Sequence, residues 1–167
     1  AELRSLRYQV NPHFLFTTLN SLSALVMTGK ADRAEQMIQT ISRFYRHSLA
    51  DHPTGDVSLE DEIDLQEHYL AIEAVRFPER LRIKVDLPPE LARYQVPGMI
   101  LQPLVENSVK YGVSASRKPV TITIAAREEY GRLVLTVSDD GPGTAGEHGF
   151  GIGLANVRDR LEARFGN

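Results

Sequence analysis

Asn107, Lys110 and two clusters of glycine are the residues of this sequence whose types and spacing suggest chemistry. Asn107 and Lys110 lie in the run Gln102-Pro103-Leu104-Val105-Glu106-Asn107-Ser108-Val109-Lys110-Tyr111-Gly112. Ile100, Leu101, Leu104, Val105 and Val109 recur at helical spacing, which predicts an amphipathic helix. Residues three and four apart on a helix are neighbours, so Asn107 and Lys110 share a face. An amide oxygen able to ligate a hard metal ion thus stands beside a cation able to pair with phosphate.

The glycines follow. Asp139-Asp140-Gly141-Pro142-Gly143 comes directly after Leu133-Val134-Leu135-Thr136-Val137, an apolar run that reads as a buried strand. Gly149-Phe150-Gly151-Ile152-Gly153-Leu154 opens a helix-like run to Phe165. Residues without Cβ let backbone N–H groups approach a phosphate, and a helix N-terminus favours the anion. The spacing is neither that of a Walker loop nor that of a dinucleotide-binding fingerprint.

These three stretches, in this order, resemble the N, G1 and G2 boxes of the GHKL (Bergerat-fold) ATPases, which include histidine kinases, gyrase-type ATPases and heat-shock chaperones. The form Leu-Gln-Pro-Leu-Val-Glu-Asn resembles one branch, the LytS-type sensor histidine kinases, and the match spans most of the chain.

The bounds agree. The chain has 167 residues, 42% hydrophobic and 25% charged, enough for one or two small folded domains. A net charge of −3 leaves no basic footprint for nucleic acid. Without cysteine there is no disulfide framework and no thiolate zinc site, which fits a reducing, cytoplasmic compartment. No run approaches the roughly 18 apolar residues of a membrane span. The chain opens at Ala1 rather than Met and reads as a fragment without its sensor region, through which alone a membrane would be met.

Upstream of the boxes, residues 1 to about 28 read as one long helix, with Leu3, Leu6, Val10, Phe14, Leu22 and Leu25 forming a stripe. Pro12 should kink it and Gly29 stop it. A second helix, with Asp32 as its cap, runs to about Leu49, with Ala34, Met37, Ile38, Ile41, Phe44 and Tyr45 on its apolar face. Two such helices bury little alone; pairing with a second copy into a four-helix bundle is the natural remedy. Inside the first helix, Asn11-Pro12-His13-Phe14-Leu15-Phe16-Thr17-Thr18-Leu19-Asn20 is similar to the phosphoacceptor box of the LytS-type family. The resemblance makes His13 the phosphoacceptor, and neutral imidazole is a competent nucleophile near pH 7. Where many histidine kinases carry an acid directly after the histidine, this chain has Phe14, so no side-chain base is assigned. Asn11 is the candidate for orienting the ring. Thr17 stands one turn after His13 where this family usually has Asn, and at this offset other histidine kinases hold the water that dephosphorylates the partner.

Residues 51–57 read as a turn-rich linker, which places a boundary between a helical hairpin (1–56) and an ATP-binding domain (57–167). Ser58, followed by Asp61 and Glu62, starts a helix to about Arg76. Its stretch Tyr69-Leu70-Ala71-Ile72-Glu73-Ala74-Val75-Arg76-Phe77 again resembles the LytS type, and its acidic residues read as a solvated face. Leu81–Leu87 alternates as a strand, Tyr94–Pro97 is a short edge segment, and Val120–Ala125 with Leu133–Val137 form a hairpin through Glu128–Gly131. The fold class is α+β: a helical hairpin, a four-helix bundle as a dimer, followed by a Bergerat-type α/β sandwich.

The resemblance also implies roles. Asn107 corresponds to the Mg²⁺-ligating amide, Lys110 to a phosphate-contacting cation and Tyr111 to an aromatic on the nucleotide. Asp139 corresponds to the carboxylate that accepts the adenine amino group. Gly141 and Gly143 allow close approach to the base; Gly149, Gly151 and Gly153, followed by Leu154, line the phosphates; Thr144–His148 belong to a short lid. Many GHKL proteins carry Asn or Glu four residues before the metal-binding Asn. Pro103 stands there, which disfavours hydrolysis by a glutamate at that position. Glu106 is a candidate second metal carboxylate, although it points about 100° around the helix from Asn107. The chain ends where the fold would normally add closing strands, so truncation and an exposed sheet edge are expected. The reading is an ATP- and Mg²⁺-dependent homodimeric protein-histidine kinase that autophosphorylates on His13 and passes the phosphoryl group to an aspartate of a response-regulator receiver domain. The rivals are a non-catalytic nucleotide-binding scaffold and a GHKL protein-serine kinase.

Overall fold

The computed structural model describes residues 11–48 and 55–142. Helix α1 (Pro12–Met27) and helix α2 (Ala31–Ser48) form an antiparallel hairpin. A short strand β1 (Asp56–Ser58) leads into helix α3 (Leu59–Arg76). Strand β2 (Leu81–Asp86), a 3₁₀ turn (Pro89–Leu91) and strand β3 (Gln95–Pro97) follow. Helix α4 (Gln102–Asn107) continues into a π-helical turn (Ser108–Val113), and strands β4 (Val120–Glu129) and β5 (Arg132–Asp139) close the described part.

The local starts and stops have visible causes. Proline is at home in the first turn of a helix, where its missing N–H is not needed. Asn11, extended at φ −84° and ψ 113°, caps α1, its side-chain oxygen accepting from the amides of His13 and Phe14. Pro12 therefore starts a helix rather than kinking one, which corrects the expectation of a continuous helix through it. The α1 end at Gly29 holds, with the Lys30 amide reaching back to the Leu25 carbonyl at 2.8 Å. Asp32 lies inside the first turn of α2 instead of capping it. Ser58 caps α3 through the Asp61 amide, as expected. Between β4 and β5, Tyr130 and Gly131 both take positive φ (53° and 76°), the conformation that matches the twist of a two-residue hairpin.

The sheet is mixed, in the order β2-β4-β5. Leu81 to Asp86 run parallel to Val120 to Ala125, while Ile122 to Glu129 pair antiparallel with Asp139 to Arg132. On β4, Val120, Ile122, Ile124 and Ala126 are buried, which sets one sheet face on the core. The β1–β3 ladder, Asp56 opposite Pro97 to Ser58 opposite Gln95, ties the start of α3 to the approach to α4.

Helix α3 is the middle of the molecule. Leu59, Ile63, Leu70 and Ile72 are almost wholly buried, and Tyr69 receives the hairpin. Phe14 of α1 packs on Tyr69 at 5.1 Å between ring centroids and on Phe44 of α2 at 5.7 Å; Phe44 meets Tyr69 at 5.9 Å. Such aromatic pairs add stabilisation beyond their buried area. A helix covered by the hairpin and by the sheet layer has little surface left for water. Its acidic Glu62 and Glu73 are accordingly buried, at 1% and 6% exposure. This overturns the reading of a solvated face for Glu62 and Glu73, whereas Glu60, Asp61, Asp64 and Glu67 of the same helix are exposed.

Candidate active site

The site is built where α4 changes into its π-helical turn. Ile100, Leu101, Leu104, Val105 and Val109 are all buried, which fixes the helix against the core and turns the remaining side chains outward. The last turn is widened: the Ser114 amide bonds the Val109 carbonyl, five residues back, at 2.9 Å. In a helix of this kind the residue five along, rather than four, comes round over a given position. The widening therefore swings Gly112 round toward Asn107 and alters the simple one-face relation of Asn107 with Lys110. Lys110 is exposed and its ammonium lies 5.1 Å from the centre of the Tyr111 ring, a cation–π pair at the mouth of the site.

Gly112 meets the end of β5. A Cβ on Gly112 would fall 2.5 Å from Asp139 Oδ1 and 2.7 Å from its Cγ. A Cβ on Gly141 would fall 2.8 Å from both the Cα and the carbonyl oxygen of Gly112. Asp139 Oδ1 accepts the Gly141 amide at 3.0 Å. The two glycines thus form a close-fitting seat around a half-buried carboxylate. Asp140, next along, is exposed and turns back to the sheet, where it accepts the Thr121 amide at 2.8 Å.

Two anchors hold α4 in place. Glu62 of α3 accepts the Met99 amide at 2.8 Å on one oxygen and the Leu101 amide at 3.0 Å on the other, with Gln66 adding a third bond at 3.3 Å. Burial pushes its carboxyl up to about 7, against the opposing pull of these bonds. Met99, in the same turn, takes φ 67°, a conformation uncommon for a side chain of this kind. At the other end, Arg80 donates to the carbonyls of Val113 (2.9 Å) and Ser116, satisfying groups that a helix end leaves without partners.

His13 is exposed at the first turn of α1, directly beside buried Phe14. Asn11 holds the backbone of this turn, so it acts on His13 through the helix start; its oxygen is engaged there and not on the ring. Thr17 is half-buried, and its hydroxyl lies 3.0 Å from the carbonyls of both His13 and Phe14, where it can donate to either.

Glu106 is placed differently from the expectation of a metal carboxylate. It accepts the Gln102 side-chain amide at 3.0 Å and shares a small cavity with Asn11, Phe14, Phe44 and Tyr69, so it faces the hairpin rather than the Asp139 seat. Burial raises its carboxyl above the usual range, and the charge of Glu73 adds to this. Among the described residues no group of three or more acidic, histidine or cysteine side chains could hold a metal. Gly143, Gly149, Gly151, Gly153 and Leu154, with the lid at Thr144–His148, lie outside the described residues.

Two family models match. Residues 1–81 match the histidine kinase family, and residues 95–167 match the family of histidine kinase-, DNA gyrase B- and HSP90-like ATPases. The chain belongs to the histidine kinases. Sensor histidine kinase YesM of Bacillus subtilis is 36% identical over 99% of the chain, and BtsS of Escherichia coli K12 38% over all of it. Sensor protein LytS of Staphylococcus haemolyticus is 33% identical over 99%. These matches cover 29%, 30% and 30% of the respective relatives, so the chain spans about a third of their length. The LytS-type resemblance and the α+β class, helices with a mixed sheet, are borne out.

The ATPase family implies ATP, and the described end of the site fits its base. The carboxylate of Asp139 stands at the surface end of a buried strand, oriented by a backbone amide and flanked by backbone without Cβ. That is a seat for the donor edge of a flat ring. Asn107 itself offers an amide oxygen, which suits a hard ion that keeps several waters and phosphate oxygens.

The residues that the sequence did not single out are Glu62, Glu73, Arg80 and Gly112. Only Gly112 had a visible signal, as the glycine closing the Asn107 segment. The others are charged residues on helix α3 or beside strand β2, indistinguishable by spacing from solvated ones.

Proposed function

We propose that this chain is the catalytic region of a two-component sensor histidine kinase, acting as a homodimer. It would transfer the γ-phosphoryl group of ATP to His13 and then to an aspartate of a response-regulator receiver domain. Residues 1–56 supply dimerisation and the phosphoacceptor; residues 57–167 bind the nucleotide. The observation that carries this reading is the Asp139–Gly112–Gly141 seat, formed against the same helical segment that presents Asn107 and Lys110, in a chain that also presents His13 on an exposed helix start.

Asp139 accepts the adenine amino group, which favours adenine over guanine; Tyr111 flanks the nucleotide and Lys110 pairs with phosphate. Asn107 holds Mg²⁺, which when bound neutralises charge on the phosphate oxygens. Glu106 has no part in that ligand set, because it faces the hairpin. The protein's work is to position and to neutralise charge. Exposed apolar side chains on the hairpin, Phe16, Leu19, Val26 and Met27 of α1 and Ile38 of α2, support pairing with a second copy. No helix among the described residues is long and apolar enough to cross a membrane. The cytoplasmic side is where ATP and a receiver domain would both be met.

The test is incubation with γ-labelled ATP and Mg²⁺, comparing the chain with His13→Ala, followed by acid and base treatment. The expected label is acid-labile, base-stable and absent from His13→Ala. Acid-stable label would favour a serine kinase, and no label despite measured ATP binding would favour a scaffold; either overturns the proposal.

A further inference from the structure

The hairpin is fastened to helix α3 along one seam, and two histidines stand in it. On α2, Phe44 and His47 are three residues apart and share a face. On α3, Tyr69 and His68 receive them. The Phe44 and Tyr69 rings lie 5.9 Å apart between centroids, and the His47 and His68 rings 6.2 Å apart, tilted by 53°. Phe14 of α1 packs on both Phe44 and Tyr69, so the same seam reaches the helix start that carries His13. Both histidines are half-buried, and His47 is one residue from the end of α2.

The surroundings of the pair favour uncharged rings. Nδ1 of His68 is buried and has no hydrogen-bond partner among the described residues. A neutral imidazole can leave that nitrogen as a bare lone pair. Imidazolium must carry a proton on both nitrogens, and a buried N–H without an acceptor is costly. The charged groups acting on His68 are His47 and Arg43 from α2 and Asp64, one turn earlier on its own helix. Both groups from the hairpin are cations in acid. Burial and these two hold the His68 imidazole below the ordinary histidine value, against the pull of Asp64.

We propose that His47 and His68 form an acid-sensitive catch between the hairpin and α3, closed while both rings are neutral and forced open when both are charged. The catch itself follows from the packing; its bearing on phosphotransfer rests on His13 being the phosphoacceptor. When pH falls through the histidine range, two like charges face each other across the seam, with Arg43 adding to them. Asp64, the opposite charge acting on His68, lies on α3, so the charged ring is drawn along its own helix and away from α2. An opened seam binds more protons than a closed one, so acid favours opening. At 6.2 Å between ring centres and an effective dielectric of about 20, a pair of unit charges shifts such a balance by up to about 100-fold. The partial exposure of both rings reduces this to about 10-fold. Glu62 works in the opposite sense, since burial raises its carboxyl to about 7 and its contribution is lost toward base rather than acid.

The test is a titration of the whole chain, without nucleotide, from pH 7.5 to 5, followed by NMR. As the ring protons of His47 and His68 titrate, cross-relaxation between the Phe44 and Tyr69 rings should weaken. The ratio of open to closed seam, read from the shifts of those two rings, should rise by about 10-fold. His47→Gln and His68→Gln each remove one of the two charges, and each should keep the ring contacts of neutral pH throughout the titration. Should His68→Gln fail to fold, His47→Gln, near the end of α2, carries the same expectation. Glu73, which accepts from Tyr69 Oη at 3.0 Å and is raised by burial, is intact in both variants. A seam that still opens in folded His47→Gln would therefore move the switch from the histidines to such a carboxyl and overturn the proposal. A wild-type seam that stays closed with both rings charged would overturn it as well. Label that persists in His13→Ala would instead sink the phosphoacceptor reading, while the ring shifts would still report whether the catch opens.

Discussion

Gly112→Ala isolates the seat of Asp139 from the rest of the fold. By intrinsic preference the change should help, since alanine is favoured over glycine in a helix by about 1 kcal/mol. The backbone of Gly112 is not among the positive-φ glycines, so alanine meets no conformational obstacle. The obstacle is the carboxylate: the new Cβ would stand 2.5 Å from Asp139 Oδ1, where ordinary contact begins at 3.4 Å. The carboxylate must therefore move by about 0.9 Å, the difference between those two distances. That takes Oδ1 out of hydrogen-bond range of the Gly141 amide and away from an adenine amino group. A hydrogen bond to a charged group contributes about 1.5–3 kcal/mol, so ATP binding should weaken by about 10- to 150-fold. Calorimetric titration with ATP and GTP, paired with a thermal melt, reads both sides. The expected result is a Tm near wild type, weaker ATP binding and a smaller preference for ATP over GTP. Asp139→Ala should produce a similar loss, and the double variant little more, because the two changes remove one interaction. A folded Gly112→Ala chain with ATP affinity within twofold of wild type, or losses that add in the double variant, would refute the reasoning.

Other consequences are as direct. Glu62 has a folded-state value near 7 against the usual 4.5, so the folded chain binds more protons than the unfolded one between those pH values. Its contribution is fully present below 4.5 and is lost as pH rises through 7, a fall of about 3 kcal/mol at roughly 1.4 kcal/mol per unit. Urea unfolding from pH 5 to 8 should show this slope in wild type and a flatter one in Glu62→Gln; equal slopes would remove Glu62 as its source. Glu62→Ala leaves the Met99 and Leu101 amides without their acceptor, and at about 1–3 kcal/mol for each it should lower stability by several kcal/mol in the same assay. Asn11→Ala removes the cap of α1 and should cost about 1 kcal/mol, seen as faster hydrogen exchange at the His13 and Phe14 amides, with Asn11→Asp close to wild type. Thr17→Ala should abolish dephosphorylation of the regulator while autophosphorylation persists; loss of both together would place Thr17 in the fold rather than in the reaction.

Much of the architecture was legible because it is local. Helical spacing from Ile100 to Val109 marked the helix, Ser58 marked the start of α3, and the alternation of Leu81–Leu87 and Val120–Ala125 marked strands. Where the expectation failed, a backbone rule with two outcomes was involved. Proline in a helical pattern either kinks a helix or begins one, and the choice at Pro12 fell to Asn11, whose side chain caps the His13 and Phe14 amides. The candidate site divides in the same way. His13, Asn107, Asp139 and Gly141 were named from their motifs. The widened turn that carries Gly112 toward Asp139 leaves no periodic trace, because it depends on what β5 presents to it.

The sequence alone determined the class of fold and most of its elements, through spacing along the chain, and the family, through the resemblance of its motifs; strand β1, inside the stretch read as a linker, needed its partner β3 to be seen. Only the tertiary structure decided the fate of the charges on α3. Glu62 and Glu73 look like solvated helix residues until the sheet layer covers one side of that helix and the hairpin the other. Burial then makes an unpartnered carboxylate costly, so each is held by donors: for Glu62 the amides just before α4, for Glu73 the hydroxyl and guanidinium of its own helix. For Glu62 the donors come from a distant segment, which no pattern within α3 records; for Glu73 the donors stand at helical spacing on α3, and what the tertiary structure adds is the burial that makes them necessary.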